Sequence, residues 1–331
     1  MNNTGGIEGK KPRPPAHDAP ATRHRRMHLL MLGATFCWAA NIVAGKEALR
    51  GFGALTLAQL RVTGAALVLG VLFLGWRRRP TLRMNARQWL FLIWVALFGI
   101  TLNQLFFIGG LSRSSVAHTG LIVALGPVMV LVLSCLMHLE ALTALKIVGM
   151  IVSFTGVGFL TLGKAGEVSG ATMKGDLILL GGTAVFAYYT VLVKGVVEQY
   201  DPLTFNVLIF VLGAALMVPF TLRNILNIRW TLLPSIAWWG LTFMVLFGSV
   251  AAYLIFAFAL RELTAARVAA FSYLQPAIAT ALGIWLLGET LTRGVVAGGV
   301  LILLGVYLTE RERGEDEDKD KQVQGAAPGV A

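Results

Sequence analysis

Apolar residues run through this chain in long blocks, and the polar breaks between the blocks are short. The blocks fall at about 28–47, 54–76, 88–110, 115–138, 144–163, 175–194, 203–222, 235–260, 265–288 and 292–309. A helix needs about 20 apolar residues to cross the roughly 30 Å hydrocarbon core of a bilayer. None of the blocks alternates polar and apolar over about ten residues, as the strands of a membrane barrel do. The pattern therefore predicts an all-α membrane protein with ten transmembrane helices. Outside the blocks, 1–27 is polar, basic and proline-containing, and 311–331 is charged. Both read as disordered tails. Arg23, Arg25 and Arg26 before the first block resemble the start of a signal peptide. No small-x-small cleavage site is clear and further blocks follow, so the first block is expected to be a retained helix.

Composition agrees with this pattern. The chain of 331 residues is 56% hydrophobic and 14% charged, against about 25% charged in soluble domains. The net charge of +11 does not point to nucleic acid, because the cations sit in the tails and breaks. With the N-terminus inside and alternating spans, 19 Lys and Arg fall inside and eight outside, and Arg61 lies within a span. This bias predicts that both termini are cytoplasmic. The partner that this composition implies is the lipid bilayer. Cys37 and Cys135 both lie in apolar blocks and read as small core residues rather than a disulfide or metal ligands. Hydrolase, zinc-protease and phosphate-loop signatures are absent. No enzyme activity, cofactor or metal is expected, and no nucleotide-driven pump.

The chain also repeats itself. Residues 114–158 align without a gap on 263–307, pairing Pro127 with Pro276, Glu140 with Glu289, Thr143 with Thr292, Gly149 with Gly298 and Gly156 with Gly305. The starts match too, shifted by one: Trp38-Ala-Ala-Asn41 with Lys46, against Phe186-Ala-Tyr-Tyr189 with Lys194. The expected units are a first repeat at 28–163, a linker at 164–174 and a second repeat at 175–310. A five-helix unit that starts inside ends outside, so the second copy must be inverted. Two inverted five-helix repeats around a mid-membrane site are an arrangement that secondary transporters use.

With its Trp-Ala-x-Asn opening, paired Pro helices, Glu-x-Leu-Thr ends and Gly-rich fifth and tenth spans, the chain resembles the drug/metabolite transporter superfamily. Within it, 28–309 is similar to the ten-helix EamA family. The resemblance implies a cavity between the halves, and export of small metabolites, often amino acids, from a bacterial inner membrane. A carrier of anionic or phosphorylated metabolites is the alternative, and a membrane scaffold or sensor without turnover is another.

Polar residues within membrane spans are candidates for function. Those singled out are Trp38, Asn41, Asn103, Gln104, Phe107, His118, Tyr189, Tyr253, Tyr273 and Gln275 as substrate-binding residues. Amides offer donors and an acceptor, which suits a zwitterion; each could instead bridge two helices. His118 pairs with Arg267 in the repeat and could attract an anion. Arg61 reads more simply as a structural pairing. Pro127 and Pro276 are expected to bend their helices and act as hinges. Glu140 and Glu289 read as marks of helix ends, with the following Thr as cap. Gly149-x-x-x-Ser153 and Gly294-x-x-x-Gly298 permit close packing, either inside the bundle or between the protomers of a homodimer.

Overall fold

The computed structural model describes residues 20–75, 84–137, 143–162, 172–194, 201–262, 271 and 274–308. The tails, most of the expected linker, and Glu140, Arg267 and Tyr273 lie outside these residues. The described residues are helical and contain no strand. In chain order the helices are α1 (Pro20–Ala48), α2 (Ala54–Gly75), α3 (Ala86–Leu111), α4 (Val116–Leu136), α5 (Ala144–Leu162) and α6 (Met173–Lys194). They continue with α7 (Pro202–Leu226), α8 (Ser235–Ala259), α9 (Leu274–Leu287) and α10 (Arg293–Leu308). Seven of them are long and apolar enough to cross a membrane: α1 (as Met27–Ala48), α2, α3, α4, α6 (as Met173–Val193), α7 and α8. Shorter apolar helices stand at the other three expected spans, as Ala144–Leu160, α9 and α10.

Each helix of the first five packs on at least one of the last five. α1 lies against α8 and α9, α2 against α7 and α8, α3 against α6 and α7, and α4 against α6 and α9. The largest core runs between these groups, with Leu57, Val62 and Leu69 of α2, Ile100 and Ile108 of α3, Ile209 and Phe210 of α7, and Met244 of α8. Large apolar side chains such as Val71, Leu136, Trp239 and Trp285 are exposed on the outside. Lipid is the solvent that makes such a surface stable. Trp238 and Trp239 lie in the first turns of α8, where an interfacial anchor is expected.

α5 and α10 meet through glycine, and they do so inside one chain. A Cβ on Gly156 would lie 2.7 Å from the Ile302 nitrogen and 2.8 Å from the Gly298 oxygen. A Cβ on Gly305 would strike the Gly149 oxygen and Ser153. The contacts are reciprocal, since Gly156 and Gly149 are the repeat partners of Gly305 and Gly298.

Both prolines stand where a helix changes. α4 is interrupted at Ala124–Leu125, and Pro127 opens its second piece, Gly126–Leu136. Proline cannot donate to the preceding turn, so a helix breaks or restarts there. Pro276 lies in the first turn of α9, and its Cα would be 3.4 Å from a Cβ on Gly120 of α4. Thr143 and Thr292 cap the next helices as expected, accepting from the Lys146 and Val295 amides at 3.4 and 3.2 Å.

Gly156→Val is expected to overpack the α5–α10 contact and cost about 1–3 kcal/mol, lowering the unfolding temperature of purified protein. Gly158→Ala, with nothing within 4 Å of the new Cβ, serves as the control that leaves it unchanged.

Candidate functional site

Two helices near the middle of the bundle loosen into π-helix, at Leu97–Leu102 in α3 and Met244–Ala251 in α8. A π turn inserts an extra residue and re-aims side chains, and it often marks functional positions. Each π segment contains a glycine filled by a side chain from another helix. The Tyr189 ring of α6 occupies the space a Cβ would need on Gly99, and the Asn41 amide of α1 occupies that of Gly248. Asn41 and Tyr189 are repeat partners in the sequence alignment, and Gly99 and Gly248 stand in the same register as the paired prolines.

Arg61 of α2 reaches the α8 segment. It is 3% exposed, and its Nε donates to Ser249 Oγ at 2.9 Å. The guanidinium carbon lies 5.7 Å above the Phe107 ring, close enough for cation–π attraction. Tyr253, one turn beyond Ser249, is within electrostatic reach of Arg61. One guanidinium nitrogen has no hydrogen-bond partner, and neither do Asn41 Oδ1 nor Gln104 Oε1. Buried polar atoms are rarely left unpaired, because each such loss costs about 1–3 kcal/mol. Here a donor and two acceptors are orphaned: Asn41 packs on Gly248, Arg61 bonds to the adjacent Ser249 and lies over Phe107, and Gln104 stands one helical turn before Phe107.

The other expected residues divide between this group and the rest of the bundle. Trp38 packs edge-on against Tyr253 with ring centroids 6.1 Å apart, and Phe210 of α7 completes the aromatic wall at 5.4 Å from Tyr253. Asn103 donates to the Gly182 carbonyl at 3.4 Å and accepts from Gln104 at 3.0 Å. Gln275 is buried in the first turn of α9. His118 stands elsewhere, with Nδ1 2.8 Å from Asp176 Oδ2 near the start of α6. Arg61 joins the group although the sequence reading gave it a structural role. A lone arginine in an apolar span was the signal available for it.

Glu289 also acts at a distance. Gly288 adopts φ 68° after α9, and the Glu289 amide returns to the Gly283 carbonyl at 3.2 Å. This is the left-handed glycine cap that turns a chain sharply at a helix end. It aims the carboxylate at α4, where it accepts from the Val116 and Ala117 amides at 2.7 and 3.1 Å. Ser115 Oγ accepts from His118 N at 3.1 Å. Three amides that a helix start leaves unpaired are thus satisfied. A negative charge at that place is favoured by the helix dipole.

Apolar helices with a lipid-facing surface define a multi-pass α-helical membrane protein. The chain belongs to the EamA-like transporter family, whose model matches it twice, at residues 25–162 and 173–311. An uncharacterized transporter of Archaeoglobus fulgidus is 29% identical over 86% of this chain and 98% of its own length. The uncharacterized transporter YyaM of Bacillus subtilis is 26% identical over 86% and 93%. The WAT1-related protein At3g02690 of Arabidopsis thaliana, chloroplastic, is 24% identical over 87% and 70%. A crystal structure at 18% identity shares the fold, with TM-score 0.61 over 86% of this chain and 96% of that one. The family and these relatives make the protein a transporter rather than an enzyme.

Ser249→Ala removes the acceptor of a buried guanidinium N–H and is expected to destabilise the protein by about 1–3 kcal/mol. Thermal unfolding of purified variant and parent checks this. An unchanged midpoint would mean that Arg61 is held by other contacts.

Proposed function

We propose that the protein is a secondary transporter that exports small amphipathic metabolites such as amino acids. Its binding site is the group formed by Arg61, Asn41, Gln104, Tyr253, Trp38 and Phe107. The observation that carries this reading is the set of orphaned buried atoms, one guanidinium nitrogen and two amide oxygens. An α-amino acid supplies a carboxylate for the arginine and an ammonium for an amide oxygen such as Gln104 Oε1. Aromatic rings around them suit an apolar side chain. Arg61 has no carboxylate partner among the described residues, which also favours an anionic solute. The two orphaned acceptors favour a zwitterion over a phosphorylated dianion.

The mechanism in this reading is alternating access between two inverted five-helix repeats, ten helices in all, in a bacterial inner membrane with both termini cytoplasmic. Three features support it. The family model matches each half once. The reciprocal contacts Asn41–Gly248 and Tyr189–Gly99 join helices of one half to those of the other in the same way. α4 breaks just before Pro127, so hinge motion in α4, and in α9 by analogy, has a physical basis.

Counterflow of labelled amino acids and organic acids in proteoliposomes tests the function. Saturable exchange is expected, and Arg61→Met should reduce it about 10- to 100-fold, the worth of a charge-assisted hydrogen bond of about 1.5–3 kcal/mol. No saturable exchange across the panel would sink the reading. For the hinges, the double variant Pro127→Ala with Pro276→Ala is expected to slow turnover several-fold while leaving substrate binding near the parent value. Unchanged turnover would refute the hinge.

A further inference from the structure

At the end of the bundle where α3 stops and α4 and α6 begin, a second buried polar group stands apart from Arg61. Asp176, in the first turn of α6, is 2% exposed, His118 of α4 is 4% exposed and Ser114 is fully buried. His118 Nδ1 is 2.8 Å from one carboxylate oxygen of Asp176, and Ser114 Oγ donates to the other at 2.5 Å. The carboxylate sits between the serine and the imidazole, so the hydroxyl is not activated and the group is not a nucleophile. The strands of chain around it are fixed. Thr172 donates to the Arg113 carbonyl through both its amide and its hydroxyl, at 2.9 and 2.8 Å. Gly175 packs directly on that carbonyl.

We propose that His118 and Asp176 form the proton-binding site that couples transport to a pH gradient. This rests on the transporter reading above. With a neutral imidazole the pair carries one negative charge in a water-poor place, held by two donors. One added proton makes it an imidazolium–carboxylate pair with no net charge, joined by a charge-assisted hydrogen bond. Burial favours the uncharged total, and imidazole is the side chain whose charge changes near neutral pH. The bond joins α4, in the first family match, to α6, in the second. The proton therefore stabilises the closed arrangement of this end. When α4 and α6 part and water enters, the proton leaves to water and the imidazole is neutral again.

The other charges around the site belong to named groups. Glu289, in the turn after α9, is bound to the Val116 and Ala117 amides. Lys46 of α1 is within electrostatic reach of Glu289. Arg113 turns away to the Gly109 carbonyl, and Lys174 of α6 is exposed.

Two measurements on the full chain test the proposal, and the first needs no substrate. Deuterium exchange at 112–120 and 172–178, corrected for intrinsic rates, should be several-fold faster at pH 8 than at pH 6 in the parent. Asp176→Asn and His118→Gln should each lose that pH dependence, and either variant suffices if the other does not fold. Equal pH dependence in parent and variants would overturn the proton site, even if counterflow succeeds. The second measurement imposes a pH gradient on proteoliposomes. Asp176→Asn should keep equal-pH counterflow within about twofold and lose gradient-driven accumulation; accumulation at the parent level would also overturn it. Absence of counterflow in the parent, with the pH-dependent exchange intact, would count against the transporter reading and leave the proton site standing.

Discussion

The hydrogen bond from Arg61 to Ser249 organises the middle of this protein. A cation within a lipid-embedded bundle is costly and needs partners or water. α2 supplies the cation, α3 supplies the Phe107 ring beneath it, and α8 supplies the hydroxyl. α8 can present Ser249 beside Gly248 because it loosens into π-helix over Met244–Ala251. The adjacent glycine lets α1 close in with Asn41. One charged side chain thereby ties the placement of three helices, Asn41 adds α1, and the amides and rings of the proposed site are their neighbours.

Helix irregularity in a membrane protein needs internal compensation, because lipid offers no hydrogen bonds to freed backbone groups. Short side-chain hydrogen bonds also run between the helices. Thr101 donates to the Gly213 carbonyl at 3.0 Å beside the α3 π segment. The Thr221 hydroxyl donates to Gln59 Oε1 at 2.7 Å where α7 lies on α2, with the Met217 carbonyl as a second acceptor at 3.1 Å. Such short polar links hold α2, α3 and α7 together without large charges. Polar strength is thereby concentrated in two places, around Arg61 and around Asp176.

Local chemistry was legible in the sequence, and long-range chemistry was not. Apolar block length marked where helices stand, the glycine register anticipated the close packing of α5 and α10, and the threonines after Glu140 and Glu289 were recognisable caps. Glu289 looked like a helix-end marker because its partners, Val116 and Ala117, lie more than 170 positions earlier. Asp176 passed unnoticed because one carboxylate in the first turn of a helix reads as a solvated cap; only the fold buries it against His118. The π segments left no trace in hydrophobic periodicity, since an extra residue in an all-apolar helix changes no pattern. Arg61 was visible, but its unpaired nitrogen depends on where α3 and α8 place their side chains. Five of the six residues of the proposed site were readable as residue types, and their assembly around Arg61 was not.

The contacts at the end near α4 have a size suited to a switch. Moving a two-state equilibrium from 1:99 to 99:1 takes about 5.5 kcal/mol. A hydrogen bond to a charged group contributes about 1.5–3 kcal/mol. Glu289 makes two such bonds to α4, and Asp176 accepts one from Ser114 and shares another with His118. Four bonds of that strength exceed the energy needed to hold this end closed, so opening it requires that some be replaced. Water can replace the bonds to the α4 amides as the end opens. The His118–Asp176 bond differs, because in the proposed coupling it is the one that gains a proton and becomes charge-assisted. Of the four, it is the one that the proposed proton strengthens, and that asymmetry is what the proposed coupling to a pH gradient requires.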